Sequence, residues 1–328
     1  TAATLDALEE ARRRFPDLRP IVSVTSATVP MTVAGYEMAR HWGCPAYYIN
    51  TRGGEVLDLT RPDEPDPLRM TVKVDTYVRI YGLEPLSPEQ ATPYATTPET
   101  RQAAALKLAR GGRPAIEVLA WLRGTGAAPQ ETAAQGAKHK VWPGHFTAAH
   151  RGVLQMLEAH GVIRHVRFSA RQVSFEIPQP GEGEFLRGDW LEQYVLAVGQ
   201  ELRARRVFYD CAAGVRLRSG AAEREVDFIA TFRGMVLIAG CKAVKRPWNK
   251  AYLDELGAVA KILGGDYVTR LYITDGVRTP PSPGRSDPFP AFAQQAAQQR
   301  AVILTGDDLP RLDEVLQREV ERPTYPPR

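Results

Sequence analysis

The chain has 328 residues, 44% of them hydrophobic and 24% charged, and a formal net charge of +4. This length and composition exclude a single small module and fit two globular domains with a connector, while so small a charge surplus permits an acidic partner without demanding one. Cys44, Cys211 and Cys241 are odd in number, with no CxxC spacing and no histidine at zinc-ligand distance, which points to a reducing cytoplasm. No apolar run approaches membrane-spanning length and no charged-then-apolar leader opens the chain, so a soluble cytoplasmic protein without membrane contact is expected.

In chain order, Leu5, Leu8 and Phe15 share one helical face and predict a short helix. Ile21 to Thr25 is an apolar, β-branched run that predicts a strand, followed by a polar turn and a helical pattern through Met31, Ala34, Gly35 and Met38. Gly43 stops that helix, and Ala46 to Ile49 predicts the next strand, ending in Asn50-Thr51-Arg52-Gly53-Gly54. Such alternation implies a parallel sheet with ligand sites at the carboxyl ends of its strands. Residues 85–185 read as a connector: helical patterns at 115–122 and 147–159, then alternation over 162–168 and 173–177 that predicts a hairpin and a winged-helix-like fragment. Pro178, Pro180, Gly181 and Gly183 mark a boundary. Beyond it the order is helix 189–203, strand 207–217 with an interruption at Gly214, strands 226–232 and 235–242, helix 249–263 and strand 267–274. A helix near 292–299, a strand at 301–304 and a helix from 308 complete a compact α/β core.

Chemistry concentrates on the hairpin joined at Arg233-Gly234. Metal-assisted phosphodiester cleavage needs carboxylates converging on an ion and a cation near the phosphate. Glu225-Val226-Asp227 on one strand and Gly240-Cys241-Lys242 on the next supply part of that set, with positions 240 and 242 on one face and Cys241 on the other. Each residue also has an ordinary reading: Glu192 as capping-box partner of Asp189, Asp227 as a surface residue, Lys242 as a solvated cation. Lys245, Arg246 and Lys250 could line a nucleic-acid groove with Trp248 stacking on bases, or be plain surface. His139, His145, His150, His160 and His165 lack paired ligand spacing. In the first domain, Thr25-Ser26-Ala27-Thr28 between strand and helix could offer donors to a phosphate or serve as an N-cap. No G-x-G-x-x-G follows a strand, which argues against a nucleotide-dependent dehydrogenase.

Gly188-Asp189-Trp190-Leu191-Glu192-Gln193-Tyr194-Val195, followed by Glu225-Val226-Asp227 and Cys241-Lys242, resembles the PD-D/ExK nuclease half of the CRISPR ancillary nucleases over residues 186–328. The turn at 25–31 with the strand 46–51 resembles their CRISPR-associated Rossmann fold (CARF) sensor over residues 1–84. The resemblance implies an α/β chain with a CARF domain at 1–84, a connector at 85–185 and a nuclease at 186–328. It implies a homodimer activated by cyclic tetra-adenylate that cleaves DNA or RNA with Mg or Mn in type III CRISPR antiviral defence. On that basis Asp227 and the Cys241 carbonyl would ligate metal, Lys242 would position water and phosphate, and Glu192 would support them. Thr25, Ser26, Thr28, Asn50, Thr51 and Arg52 would contact the cyclic oligoadenylate. Two departures stand out. Gly240 occupies the position of the expected Glu, which predicts weak metal binding and strongly reduced cleavage. Ser26, Ala27 and Val29 replace the glycines and the basic residue of the sensor turn. The chain also begins after the family's usual first strand and helix, so an upstream segment is expected. The alternative reading is a non-catalytic sensor or a DNA-binding regulator.

Overall fold

A computed structural model describes residues 9–10, 13–16, 20–25, 28–50, 54–63, 65–67, 71–86, 94–124, 138–141, 147–169, 172–220, 222–278 and 286–326. The chain forms two compact units, residues 1–71 with 233–235, and residues 72–232 with 236–328. It is a mixed α/β protein, and no helix among the described residues is long and apolar enough to cross a membrane.

In the first unit, β1 (Val22–Ser23), α1 (Val29–Trp42), β2 (Ala46–Asn50), β3 (Glu55–Asp58) and β4 (Asp66–Pro67) follow one another. The sheet order is β1-β2-β3-β4. Among the described residues β1 and β2 pair in parallel, while β3 turns back on β2 as a hairpin, so the sheet is mixed rather than wholly parallel. α1 ends where Gly43 takes a left-handed φ of 59° and donates its N–H to the Ala39 and Arg40 carbonyls, a conformation that favours glycine. Gly35 lets the helix lie on β1, since a Cβ there would come within 2.9 Å of the Val24 side chain. The expected opening helix is helical at residues 9–10 and 13–14, while Leu5 and Leu8 lie outside the described residues.

The second unit begins with α2 (Val74–Ile80) and β5 (Glu84–Leu86). Then come α3 (Pro98–Arg110), α4 (Gly112–Gly124), β6 (Lys138–Val141), α5 (Ala148–Ala159), β7 (Arg164–Phe168) and β8 (Gln172–Glu176). β6, β8 and β7 form a three-stranded sheet beside α5, so the helix-plus-hairpin expectation is met at 148–176. A short α6 (Pro180–Glu184) and a π-helical turn (Phe185–Asp189) run directly into α7 (Trp190–Ala204).

The main sheet follows: β9 (Asp210–Ser219), β10 (Ala222–Phe232), β11 (Met235–Lys242), α8 (Lys250–Ile262), β12 (Val268–Thr274), α9 (Phe289–Gln298), β13 (Ala301–Leu304) and α10 (Leu312–Glu321). Its order is β13-β12-β11-β10-β9-β5. β11, β12 and β13 are parallel, whereas β9 pairs antiparallel with β10 and β5 with β9. Arg233 and Gly234 both have positive φ, 45° and 73°, as a tight two-residue hairpin requires. β9 runs through Gly214, whose φ of 60° absorbs a local irregularity rather than ending the strand.

β11 is buried along almost its whole length, as a central strand covered on both faces must be. Gly240 and Lys242 are its only partly open positions. Val236, Ile238, Leu253, Tyr272 and Phe292 share the core with Val72, Val74, Tyr77, Val78 and Leu83. The boundary expected at residue 84 therefore falls inside this unit, because α2 and β5 pack into and pair with the main sheet.

Candidate functional site

The alternation along β10 changes from an exposed tip at 222–225 to a buried base from Val226 onward, and Asp227 sits at the transition. Its Oδ2 accepts a hydrogen bond from the Cys241 backbone N–H at 2.7 Å and another from Lys242 Nζ at 3.0 Å. Asp227 and Lys242 thus meet across adjacent strands as the hairpin pattern predicts. Burial opposes the Lys242 charge, but the adjacent Asp227 carboxylate outweighs it and holds the ammonium above the ordinary lysine pKa. Burial drives the Cys241 thiol well above its usual value, which makes its side chain inert.

Glu192 lies two residues into α7 and is partly buried. Burial raises its pKa to about 8, and the negative charges of Asp227, Asp189 and Glu225 push in the same direction against the pull of Lys242. It therefore belongs electrostatically to the Asp227–Lys242 group, and its surroundings favour the protonated form. The capping-box reading fails: Asp189 has helical φ and ψ, makes no side-chain cap, and accepts a hydrogen bond from the Tyr94 hydroxyl at 2.8 Å. The π-helical turn continues into α7 without a break, so no cap is needed there.

Glu225, Asp227, Gly240, Lys242, Tyr252 and Glu255 line one cleft. A Cβ built at Gly240 would meet only Leu256 Cδ1, at 3.9 Å, an ordinary contact, and the glycine has no positive φ. Nothing in the backbone demands glycine at this position.

The donor set present does not fit a divalent metal. Gly240 offers no carboxylate, and Asp227 Oδ2 is already engaged by an amide and an ammonium. Among the described residues no group of three or more His, Cys, Asp and Glu could hold a metal ion. The expected Mg or Mn site on Asp227 and the Cys241 carbonyl is therefore left incomplete.

Trp248 is not placed for base stacking. Its ring is partly buried and packs edge-on to Phe289 at 4.9 Å and against Phe292 at 5.6 Å, on the core of the second unit. Lys245, Arg246 and Lys250 are exposed, as a groove or a plain surface would have them. Of the histidines, His150 is buried and occupied structurally, closing the capping box of α5 with Thr147 and pairing with Glu117 at 2.9 Å.

In the first unit, Thr25 follows β1 and Asn50 ends β2, at the carboxyl ends of the two parallel strands. Thr25 Oγ1 accepts the Ile49 N–H at 2.9 Å, which fixes the hydroxyl against β2 and keeps its own hydrogen as a donor. Asn50 Nδ2 donates to Glu55 Oε2 at 3.4 Å across the β2–β3 hairpin. Thr28 is the N-cap residue of α1, exposed and without a side-chain cap bond. Ser26, Thr51 and Arg52 lie outside the described residues.

Sequence reasoning missed Tyr252 and Glu255 because they reach the cleft from α8, on the far side of a loop. The signal was their helical spacing beside Leu256, which reads first as a core face. Arg123 and Asp275 were missed for the same reason: 152 positions separate an ion pair with an N–O distance of 2.6 Å.

No family model and no curated protein sequence matches the chain. Solved structures do. Can2 from Sulfobacillus thermosulfidooxidans, solved in complex with cyclic tetra-adenylate, aligns with a TM-score of 0.68 and 16% identity, covering 97% of this chain and 79% of that one. Protein VC1899 from Vibrio cholerae aligns with a TM-score of 0.73 and 13% identity, covering 98% and 81%. At these identities the likeness establishes a shared α/β fold over nearly the whole chain.

Proposed function

We propose that this protein is a cyclic-tetra-adenylate-responsive member of the CRISPR ancillary nuclease group, with a CARF-type sensor before the nuclease-type unit. The nuclease-type cleft is that of a homodimeric, metal-dependent endonuclease for DNA or RNA in type III CRISPR antiviral defence, with cleavage strongly impaired by glycine at position 240. The observation that carries this reading is the cleft itself: Asp227 and Lys242 on adjacent strands beside an open, unstrained Gly240. The carboxylate expected at position 240 is missing, and a Cβ there would meet only an ordinary contact. The likeness to a structure holding cyclic tetra-adenylate supports the sensor half, with Thr25, Thr28 and Asn50 at the carboxyl ends of the parallel strands as contacts. Ser26, Thr51 and Arg52 complete the proposed contact set. A twofold ring of this kind matches two copies of one loop across a C2 dimer.

In this chain as it stands, Lys242 is the cation available to a phosphate, and its bond to Asp227 must loosen before it can serve one. Exposed Lys245, Arg246 and Lys250 extend the positive surface after β11. The test compares the protein with Gly240→Glu, measuring manganese binding by calorimetry and cleavage of single-stranded RNA and supercoiled DNA with and without cyclic tetra-adenylate. Activator-dependent cleavage and a new metal site in Gly240→Glu alone are expected. If both proteins bind the ring and Gly240→Glu neither binds metal nor cuts, the nuclease reading is wrong and a purely sensory role replaces it.

A further inference from the structure

A buried charge pair joins the helical connector to the end of β12, the strand beside the one that carries Lys242. Arg123 stands in the last turn of α4, and its Nη1 lies 2.6 Å from Asp275 Oδ2. The arginine side chain is 15% exposed and the aspartate 1%. Burial pushes the Asp275 carboxyl above its ordinary pKa and the Arg123 guanidinium beside it pulls the other way, so the arginine offsets part of the desolvation of the carboxylate.

Asp275 directly follows β12, whose last residue, Thr274, is in register with Lys242. Thr274 is fully buried; its hydroxyl donates to the Lys242 carbonyl at 2.6 Å and accepts the Gly276 N–H at 3.0 Å. From Lys242 the connection continues through Nζ to Asp227. Four short steps therefore link α4 to the cleft. The other side of α4 faces the three-stranded sheet, where Trp121 packs against Phe175 with ring centroids 6.2 Å apart. α4 also packs on the π-helical turn that leads into the helix carrying Glu192.

We propose that Arg123 and Asp275 are positioning residues through which the connector sets the end of β11, and with it the alignment of Lys242 and the Cys241 amide on Asp227. A shift of α4 moves Asp275 because leaving that carboxylate without its cation is costly, and Thr274 passes the shift to Lys242. Its functional weight rests on the cleft being the working site of this unit, which the Gly240→Glu assay decides separately.

Hydrogen–deuterium exchange tests the link without any need for activity. The Cys241 amide, bonded to the Asp227 side chain, reports the strand end directly. Arg123→Met and Asp275→Asn are compared with the parent protein and with Arg123→Lys, which keeps the charge. The first two are expected to speed exchange of the Cys241–Lys242 segment about tenfold while leaving β9 and β13 unchanged, and Arg123→Lys to stay within about threefold of the parent. An unchanged Cys241–Lys242 segment, or equal acceleration throughout the unit, overturns the proposal and leaves the pair a plain stabilising contact. Should Arg123→Met fail to fold, Asp275→Asn, which alters charge and almost no volume, decides between the same outcomes.

Discussion

The four-stranded sheet of the first unit closes over Ala39, Cys44 and Ala46, with Val22, Tyr36, Trp42 and Leu59 partly buried around them. The six-stranded sheet of the second unit is packed by Phe228, Ile229, Val236, Ile238, Tyr272 and Phe292, each fully or almost fully buried. Large apolar side chains are also left open in the first unit, with Val29 77% and Met31 60% exposed. Hydrophobic stabilisation scales with apolar area removed from water, so the two units stand at different local stabilities. The candidate sites differ accordingly. Asp227 and Lys242 are held by strands among large buried side chains, whereas Thr25 and Thr28 belong to a unit whose described buried residues are mostly small.

The largest expected effect comes from removing a buried side chain from each core. Phe228→Ala is expected to cost about 3–5 kcal/mol in urea unfolding, because Phe228 is fully buried and so close to Gly199 that no Cβ would fit between them. Cys44→Ala in the first unit is expected to cost about 1 kcal/mol, since a single buried thiol is removed. Similar losses for the two would remove the distinction.

A second effect is specific to the cleft. Glu192 titrates near 8 in the folded protein against an ordinary value of 4.5, so folding tightens its hold on a proton. Its contribution to stability is fully present below pH 4.5 and is lost as pH rises through 8. Glu192→Gln is expected to flatten the pH dependence of the urea midpoint between pH 5 and 8.5, by about 2–4 kcal/mol. An unchanged slope would remove Glu192 from the buried charge group. The smallest effect is expected at Thr25, where Thr25→Val leaves the Ile49 N–H without its acceptor. A loss of about 1 kcal/mol in local opening at β2, read by amide exchange, measures how firmly the loop is fixed.

The hairpin of Asp227 and Lys242 was legible because its evidence is local: two strands, a two-residue turn and a side-chain period of two place the residues together. The helix of Glu192 was legible for its spacing, but its partner was misread. Asp189 in front of Glu192 looks like a cap, and only the preceding π-helical turn and Tyr94, 95 positions earlier, show that it is not one. Trp248 was misread for a related reason. An aromatic residue among lysines and arginines looks exposed until α9 brings Phe289 and Phe292 against it.

By itself the sequence determined the α/β class, the order of elements after residue 189 and the face shared by positions 240 and 242, all consequences of short-range periodicity and turn chemistry. Tertiary structure alone decided that residues 72–86 join the main sheet, that Glu255 and Tyr252 reach the cleft, that burial raises the pKa of Glu192, and that Arg123 meets Asp275. Each of these depends on which distant elements pack together and on how much water they exclude, and neither quantity is written in any local stretch of residues.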